Sequence, residues 1–334
     1  MRDGHQATRR LFVSGLSAMG VGAGVGLRAR AQGDLAQGFP AKPIRIIVGF
    51  APGGGNDILA RIIAQKLSER LGQPALVENR PGAGAMIATE FVAKAAADGY
   101  TLLVGATGAM TINPAVYSKL PYDTVRDFVP IALIASFPLL LCVKADAPAR
   151  TVPELVAYSK AKPAEANYAS SSAAFQLATE LFKLKTGATI EHIAYKSSGE
   201  MVTAVVGGEV LLALADAPAV AGQIKAGRIR ALATTAKERM RDYPEVPTMA
   251  EAGVPDLDVR LWSGLFAPAA TPEGIVEKLA NELTQILGLV EVRERLIGLA
   301  VDPGGGPRAA LAAQIAAEIP RWTRVAKAAN IKLD

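Results

Sequence analysis

From Pro43 onward the chain alternates short β-branched runs with stretches whose apolar residues recur at helical spacing. That alternation predicts an α/β protein with largely parallel strands. "IRIIVGF" (44–50) reads as a strand. Residues 58–71 read as a helix, with Ile58, Leu59, Ile62, Ile63 and Leu67 on one face and Lys66 at its charged edge. Strand 75–78, helix 86–96 and strand 101–105 follow, and the apolar segments 129–134 and 139–143 predict two further strands. The pattern then restarts. A threonine cap and an early proline open a helix over 151–163. Strands at 167–170, 192–195, 210–215 and 230–234 alternate with helices at 174–186, 200–206 and 220–226. A long strand, 259–269, precedes three helices at 272–289, 292–299 and 308–329.

Two α/β units whose C-terminal helices return to the first predict two lobes, residues 40–138 with 267–334 and residues 139–266. Two crossing segments, near 139–143 and 261–267, would join them, leaving a cleft for a ligand. A single larger α/β domain is the alternative.

The first 31 residues stand apart. Arg9-Arg10 precede Leu11-Phe12, a short apolar run of Gly and Ala follows, and "ARA" ends at Ala31 with small residues where a signal peptidase cuts. The run is shorter than the roughly 20 residues a membrane span needs. The paired arginines predict twin-arginine export, with the general secretory route as the alternative. The expected product is a periplasmic protein cleaved after Ala31. No cysteine stands just after that point to carry a lipid, and Cys142 is the only cysteine in the chain.

Removing this leader changes the charge balance. The whole chain carries +5. The leader holds five basic residues (Arg2, Arg9, Arg10, Arg28, Arg30) and one acid (Asp3), so 31 basic and 30 acidic residues remain. A near-neutral chain without a Lys/Arg cluster gives no support for nucleic-acid binding.

Ligands of parallel α/β sheets bind beyond the carboxyl ends of the strands, where helix N-termini also point. Four loops at such places share a composition: Pro52, Gly53, Gly54, Gly55, Asn56 and Asp57; Gly105, Thr107 and Gly108; Ser170, Ser171 and Ser172; and Lys196 and Ser197 after Tyr195. Glycine lets the backbone approach a ligand, helix N-termini favour anions, and hydroxyls add neutral donors. Each loop alone is also read as an ordinary turn or cap. Together they describe a pocket for anionic oxygens, carboxylate or phosphate. A Walker A loop needs a lysine and a hydroxyl after its glycines, and a third glycine of a dinucleotide fingerprint would fall where Ile58 stands. Carboxylate is therefore preferred. No G-x-S-x-G elbow occurs and no His/Cys cluster suits zinc. His192 begins an apolar strand and reads as a structural histidine. No cofactor, metal or catalytic residue is expected.

Several blocks match a known family. They are "KPIRIIVGFAPGGGND", "VENRPGAG", "DGYTLLVG", "INPAVYSKLPYDTVRDFVPI", "NYASS", "YKSSGE", "IKAGRIRALA", "PEVPTMAEAGVPDLDV" and "WSGLFAPAATP". Through them the chain resembles, over essentially all of its length after the leader, the Bug-type periplasmic receptors of tripartite tricarboxylate transporters. The resemblance implies a two-lobed periplasmic-binding-protein fold of type II kind; a freely diffusing monomer suits that role. Such a receptor closes on a small mono- or dicarboxylic acid and delivers it to a membrane permease of one large and one small subunit. It also implies that residues 52–57 and 105–108 hold the ligand carboxylate from one lobe. Residues 170–172, 195–198 and the Asp216 region would do so from the other. Two departures stand out: Gln176 replaces a histidine common in relatives, and Ser197 replaces a glycine in "YKSS". They leave the ligand's distal group open, polar and uncharged or an amine that Asp216 or Glu200 pairs with. Two other roles stay open: sensing through a membrane partner, and an exported enzyme using Lys196 or Glu200.

Overall fold

The computed structural model describes residues 38–195, 198–299 and 301–333. The leader, with its expected cleavage point, and the candidates Lys196 and Ser197 lie outside the described residues.

β1 (Ile44–Val48) leads through the glycine loop into α1 (Gly55–Leu71), then β2 (Ala75–Asn79), α2 (Met86–Ala93) and β3 (Thr101–Ala106). β1 pairs in parallel with β2 on one side and β3 on the other. The helix starts at Gly55 rather than Ile58, so the last glycine of the run is already helical, with Gly54 as its cap. α2 stops at Ala93, short of the expected Ala96. After β3 a wide turn over Gly108–Ile112, of i to i+5 type, feeds the one-turn α3 (Asn113–Val116).

The two strands expected at 129–134 and 139–143 are one, β4 (Phe128–Lys144). Pro138 does not break it. That residue pairs with Arg260 in the neighbouring strand, and the bends fall at register shifts 130/132 and 133/135. β4 belongs to both halves of the sheet. Its first part pairs antiparallel with β9 (Arg260–Pro268), which in turn pairs antiparallel with β3. Its last part, from Leu139, pairs antiparallel with β7 (Leu212–Asp216) and β8 (Ile229–Thr234). β5 (Asn167–Ser170) lies parallel to β7 and to β6 (Glu191–Ala194). The outer strands are thus parallel, as expected, and the central ones antiparallel. A two-residue β10 (Asp302–Pro303), absent from the sequence expectation, adds to the edge of β4.

Helices cover both faces of each half. α1, α8 (Glu273–Gly288) and α9 (Val290–Ile297) bury Ile62, Ile63, Leu67, Leu279, Leu283 and Ile286 against β1 and β3. In the second half, α4 (Val152–Ala161) and α5 (Ala173–Thr186) pack on one face. α6 (Ser198–Gly207) and α7 (Ala217–Lys225) pack on the other. The last helix, α10 (Arg308–Ala328), joins two cores. Leu311 and Ile315 pack with Trp262 and Phe266, while Trp322, Val325 and Ala326 pack with Leu177, Ala178 and Phe182. Cys142 is fully buried, as its apolar setting predicts, and burial pushes its thiol far above the ordinary range. No helix among the described residues is long and apolar enough to cross a membrane.

Candidate functional site

The glycine loop is built around a buried carboxylate. Asp57, 2% exposed, accepts from the Gly53 N–H at 2.9 Å and from Arg61 Nε at 2.9 Å through Oδ2. Its Oδ1 accepts from Asn79 Nδ2 at 2.9 Å. Asn79 Nδ2 also lies 3.0 Å from the Phe50 carbonyl, tying β2 to the start of the loop. Burial alone would raise the Asp57 carboxyl. The bonds from Arg61, Gly53 and Asn79 together outweigh it and hold the group below its ordinary value. The side chain of Asp57 thus faces the protein. Gly53 has φ +83°, a conformation that costs any other L-residue.

Pro52, Gly53, Gly54 and Gly55 are exposed. The N–H groups of Gly55, Asn56 and Asp57 fall in the first turn of α1, where no intrahelical acceptor exists. Gly54 makes no side-chain capping bond, so the positive end of a 17-residue helix opens onto the loop. Asn56 is anchored by its side chain: Ser263 Oγ donates to Asn56 Oδ1 at 2.5 Å.

The second loop is held by β9. Trp262 N donates to Thr107 Oγ1 at 2.7 Å, and Thr107 Oγ1 donates to Trp262 O at 3.2 Å. The Thr107 hydroxyl therefore serves the backbone of β9. Gly105 faces Gly264 across β3 and β9. A Cβ on Gly105 would stand 2.8 Å from the Phe266 ring and 2.9 Å from Met110, so packing explains that glycine. Gly108 is half-buried at the mouth of the wide turn. Thr111, three residues on, has its Oγ1 3.0 Å from Glu318 of α10, whose carboxylate also receives Trp262 Nε1 at 3.0 Å and Gln314 Nε2 at 2.8 Å.

In the second half, Ser170 ends β5, and Tyr195, just beyond β6, donates its N–H to the Ser170 carbonyl at 2.8 Å. Ser170 Oγ lies 2.7 Å from His192 Nε2. Ser171 Oγ is 3.3 Å from Ser198 Oγ, bringing the starts of α5 and α6 together. Ser172 caps α5 in extended conformation without a side-chain capping bond, and Gln176 is half-buried in the first turn. Asp216 stands at the N-cap of α7, and Pro218 in the first turn supplies no N–H. Burial raises its carboxyl, and its own and Ala219's N–H groups offset part of that.

The sheet register brings the two sets together. Ala106 faces Ser263, which pairs with Ala135 on β4, while Asp216 pairs with Leu139, four residues further along that strand. At roughly 3.3 Å per residue this separation is about 13 Å. Ile112 and Val116 share a buried cluster with Ala174, Phe175 and Ala178, so the 108–112 turn abuts the start of α5. The loops thus form two facing groups flanking one short stretch of β4. An open crevice of about 440 Å³ beside that stretch, lined by Pro138, Arg239, Arg241, Arg260, Arg293 and Asp302 among others, includes none of these loops. No cluster of metal-ligating side chains occurs among the described residues.

Sequence reasoning did not identify the supporting residues Arg61, Asn79, Ser263 and Glu318. Asn79 lies in the quoted block "VENRPGAG" and Ser263 in "WSGLFAPAATP", so those blocks carried the only signal. Nothing local pointed to Arg61 or Glu318.

Comparisons with known proteins agree with this architecture. Residues 59–331 match the model of the tripartite tricarboxylate transporter family receptor. Protein BugT of Bordetella pertussis is 37% identical over 298 residues, covering 88% of this chain and 91% of that one. Among solved structures, R. palustris Rpa4515 with adipate superposes with a TM-score of 0.81 at 38% identity, covering 88% of this chain and 99% of that one. MatC (Rpa3494) from Rhodopseudomonas palustris with bound malate gives 0.78 at 32% identity, covering 86% and 99%. With its mixed α/β fold and matches of this length, the chain belongs to the tripartite tricarboxylate transporter receptor family.

Proposed function

We propose that the protein is a periplasmic receptor that captures a small mono- or dicarboxylic acid by lobe closure and delivers it to a tripartite tricarboxylate-type permease of one large and one small subunit. The observation that carries this reading is the convergence, on one stretch of β4, of the uncapped starts of α1 and α5, one from each half of the sheet. Amide N–H groups at helix starts bind anionic oxygens without a charged side chain. They suit a ligand that must also be released. The two relatives solved with adipate and with malate support the same ligand class.

The backbone of Pro52 to Asp57 and of Gly105 to Gly108 takes the ligand from one lobe. Ser170 to Ser172, Gln176, Tyr195 to Ser198 and the start of α7 at Asp216 take it from the other. The lobes are residues 40–138 with 267–334 and residues 139–266. The pairing of β9 with β3 and β4 from Arg260 onward favours moving the second boundary back to Arg260. The leader is cleaved after Ala31, leaving a monomer. The mechanism is binding, with closure and ligand as one linked equilibrium, and no turnover.

Thermal unfolding of the purified protein against C4 to C8 dicarboxylates, tricarboxylates, aromatic acids and acidic amino acids tests this. An acid at 100 times its Kd adds about 2.7 kcal/mol of stability. Absence of any shift, with mass spectrometry of the denatured protein showing no retained ligand, would overturn the carboxylate reading. Consumption of an acid on prolonged incubation would replace the receptor by an enzyme.

A further inference from the structure

The histidine that the sequence leaves as a structural residue sits directly behind a site residue. In the parallel register Tyr168 faces His192 and Ser170 faces Ala194. Tyr168 and Ser170 are two apart on β5, so both side chains lie on one face of the sheet. His192 shares that face. Its ring stacks on Tyr168 with centroids 5.1 Å apart and planes at 34°, and its Nε2 reaches the Ser170 hydroxyl at 2.7 Å. Ser170 is 3% exposed. The charged groups around the imidazole are Glu180 and Lys183 on α5, 3.0 Å apart, and Glu191 beside it on β6. The phenol of Tyr168 donates to Glu180 at 2.6 Å, so that acid already has two partners.

A serine hydroxyl carries one proton. If Nε2 is a bare lone pair, Ser170 spends that proton on the histidine and turns oxygen lone pairs toward the cleft, where they repel a carboxylate. If Nε2 carries hydrogen, as in the Nε2–H tautomer or the imidazolium, His192 donates and the Ser170 proton is free for the ligand. We propose that His192 is a positioning residue for the ligand carboxylate: it holds Ser170 as a donor to the bound anion, and anion binding in turn favours protonation of the imidazole. This inference rests on the carboxylate reading given above. Burial keeps the empty-site imidazole below its ordinary 6.5, with Glu180 acting against and Lys183 with that trend. The neutral Nε2–H tautomer leaves Ser170 donating at higher pH, and the imidazolium adds its positive charge beside the bound anion on the acid side of neutrality, so affinity rises as pH falls through the histidine's pKa.

The test measures affinity for adipate and malate between pH 8 and pH 5.5 in the wild type and in H192Q. Glutamine offers an amide donor to Ser170 but does not titrate, so its profile carries the ionisation of the acids themselves. Proton NMR of the His192 ring, the one histidine after the leader, follows the imidazole with and without saturating acid. The expected result is a wild-type gain of about tenfold over H192Q toward low pH, matching a rise of about one pKa unit on binding. Binding with superimposable pH profiles and an unmoved histidine titration would overturn the role of His192 and leave the receptor standing. No binding of any acid at any pH would overturn both. The NMR titration needs only wild-type protein, so a poorly folded H192Q would not remove the test.

Discussion

Asp57 shows how one buried side chain can shape a candidate loop from the protein side. Its carboxylate is buried and takes the Gly53 N–H, Arg61 and Asn79, which fixes the loop while leaving the next amides open. Asp57→Asn removes the charge from this group. Because Arg61 is half exposed, the ion pair itself contributes little, and the expected loss at pH 7 is about 1–2 kcal/mol, from the hydrogen bonds. The carboxyl is held below its ordinary value, so its stabilisation is complete above that value and lost as pH falls through the folded one. Denaturant unfolding at pH 7 and pH 3 should therefore show the gap between wild type and Asp57→Asn closing in acid. A gap constant with pH would mean the ionised form is not what the loop uses. Gly105 makes a second residue-scale case. Gly105→Ala forces a methyl within 2.8 Å of the Phe266 ring, and unfolding should register about 1–3 kcal/mol of overpacking. No loss would show that Phe266 moves aside freely.

At the scale of elements, the periodic segments were legible and the irregular ones were not. β1, β5 and β8 carry β-branched or apolar residues bounded by turns, and α8 keeps Ile275, Val276, Leu279, Leu283 and Ile286 on one buried stripe, so the local pattern sufficed. The local pattern of β4 reads as two apolar segments with Pro138 between them, and the pairing of Pro138 with Arg260 reveals that the strand continues. The wide turn at 108–112 and the short α3 depend on Thr107, Thr111 and Asn113 reaching β9, α10 and Gly84, contacts that no local window contains. The candidate loops were legible as anion-binding composition. Their supports were not, since Glu318 lies over 200 positions from the turn it steadies. That distant support gives an element-scale prediction. Glu318→Ala strands the buried Trp262 N–H and unties Thr111 from α10, so unfolding should cost about 1–3 kcal/mol. Carboxylate affinity should fall with it, because the Gly105 to Thr111 loop loses one of its anchors, keeping those from Trp262 to Thr107 and from Tyr122 to Ala109. Thr111→Val, which cuts one of those contacts and keeps the shape, should reproduce the smaller part of both losses. Affinity unchanged in both variants would remove the turn from the site.

For the molecule as a whole, the consequence lies in how many segments join the two halves of the sheet. β4 runs through both, and the chain returns between β8 and β9, where Thr235 Oγ1 bonds to the Val259 carbonyl. α10 is a third link, since Leu311 and Ile315 pack in one core and Trp322, Val325 and Ala326 in another. If the halves close on a ligand, this helix must bend or slide. Pro320 lies between the two anchoring groups, in the helix interior. Proline supplies no N–H to the carbonyl one turn back and costs roughly 3 kcal/mol in a helix interior, so its position marks where α10 yields. Pro320→Ala restores that hydrogen bond and stiffens the joint. The ligand-free protein should melt at higher temperature, whereas affinity for the bound carboxylate should fall, because closure now works against a straighter helix. Thermal unfolding measured with and without a saturating acid reads both effects in one experiment. A higher melting point with an undiminished ligand-induced shift would mean that the lobes close without bending α10, and that the hinge consists of β4 and the return segment alone.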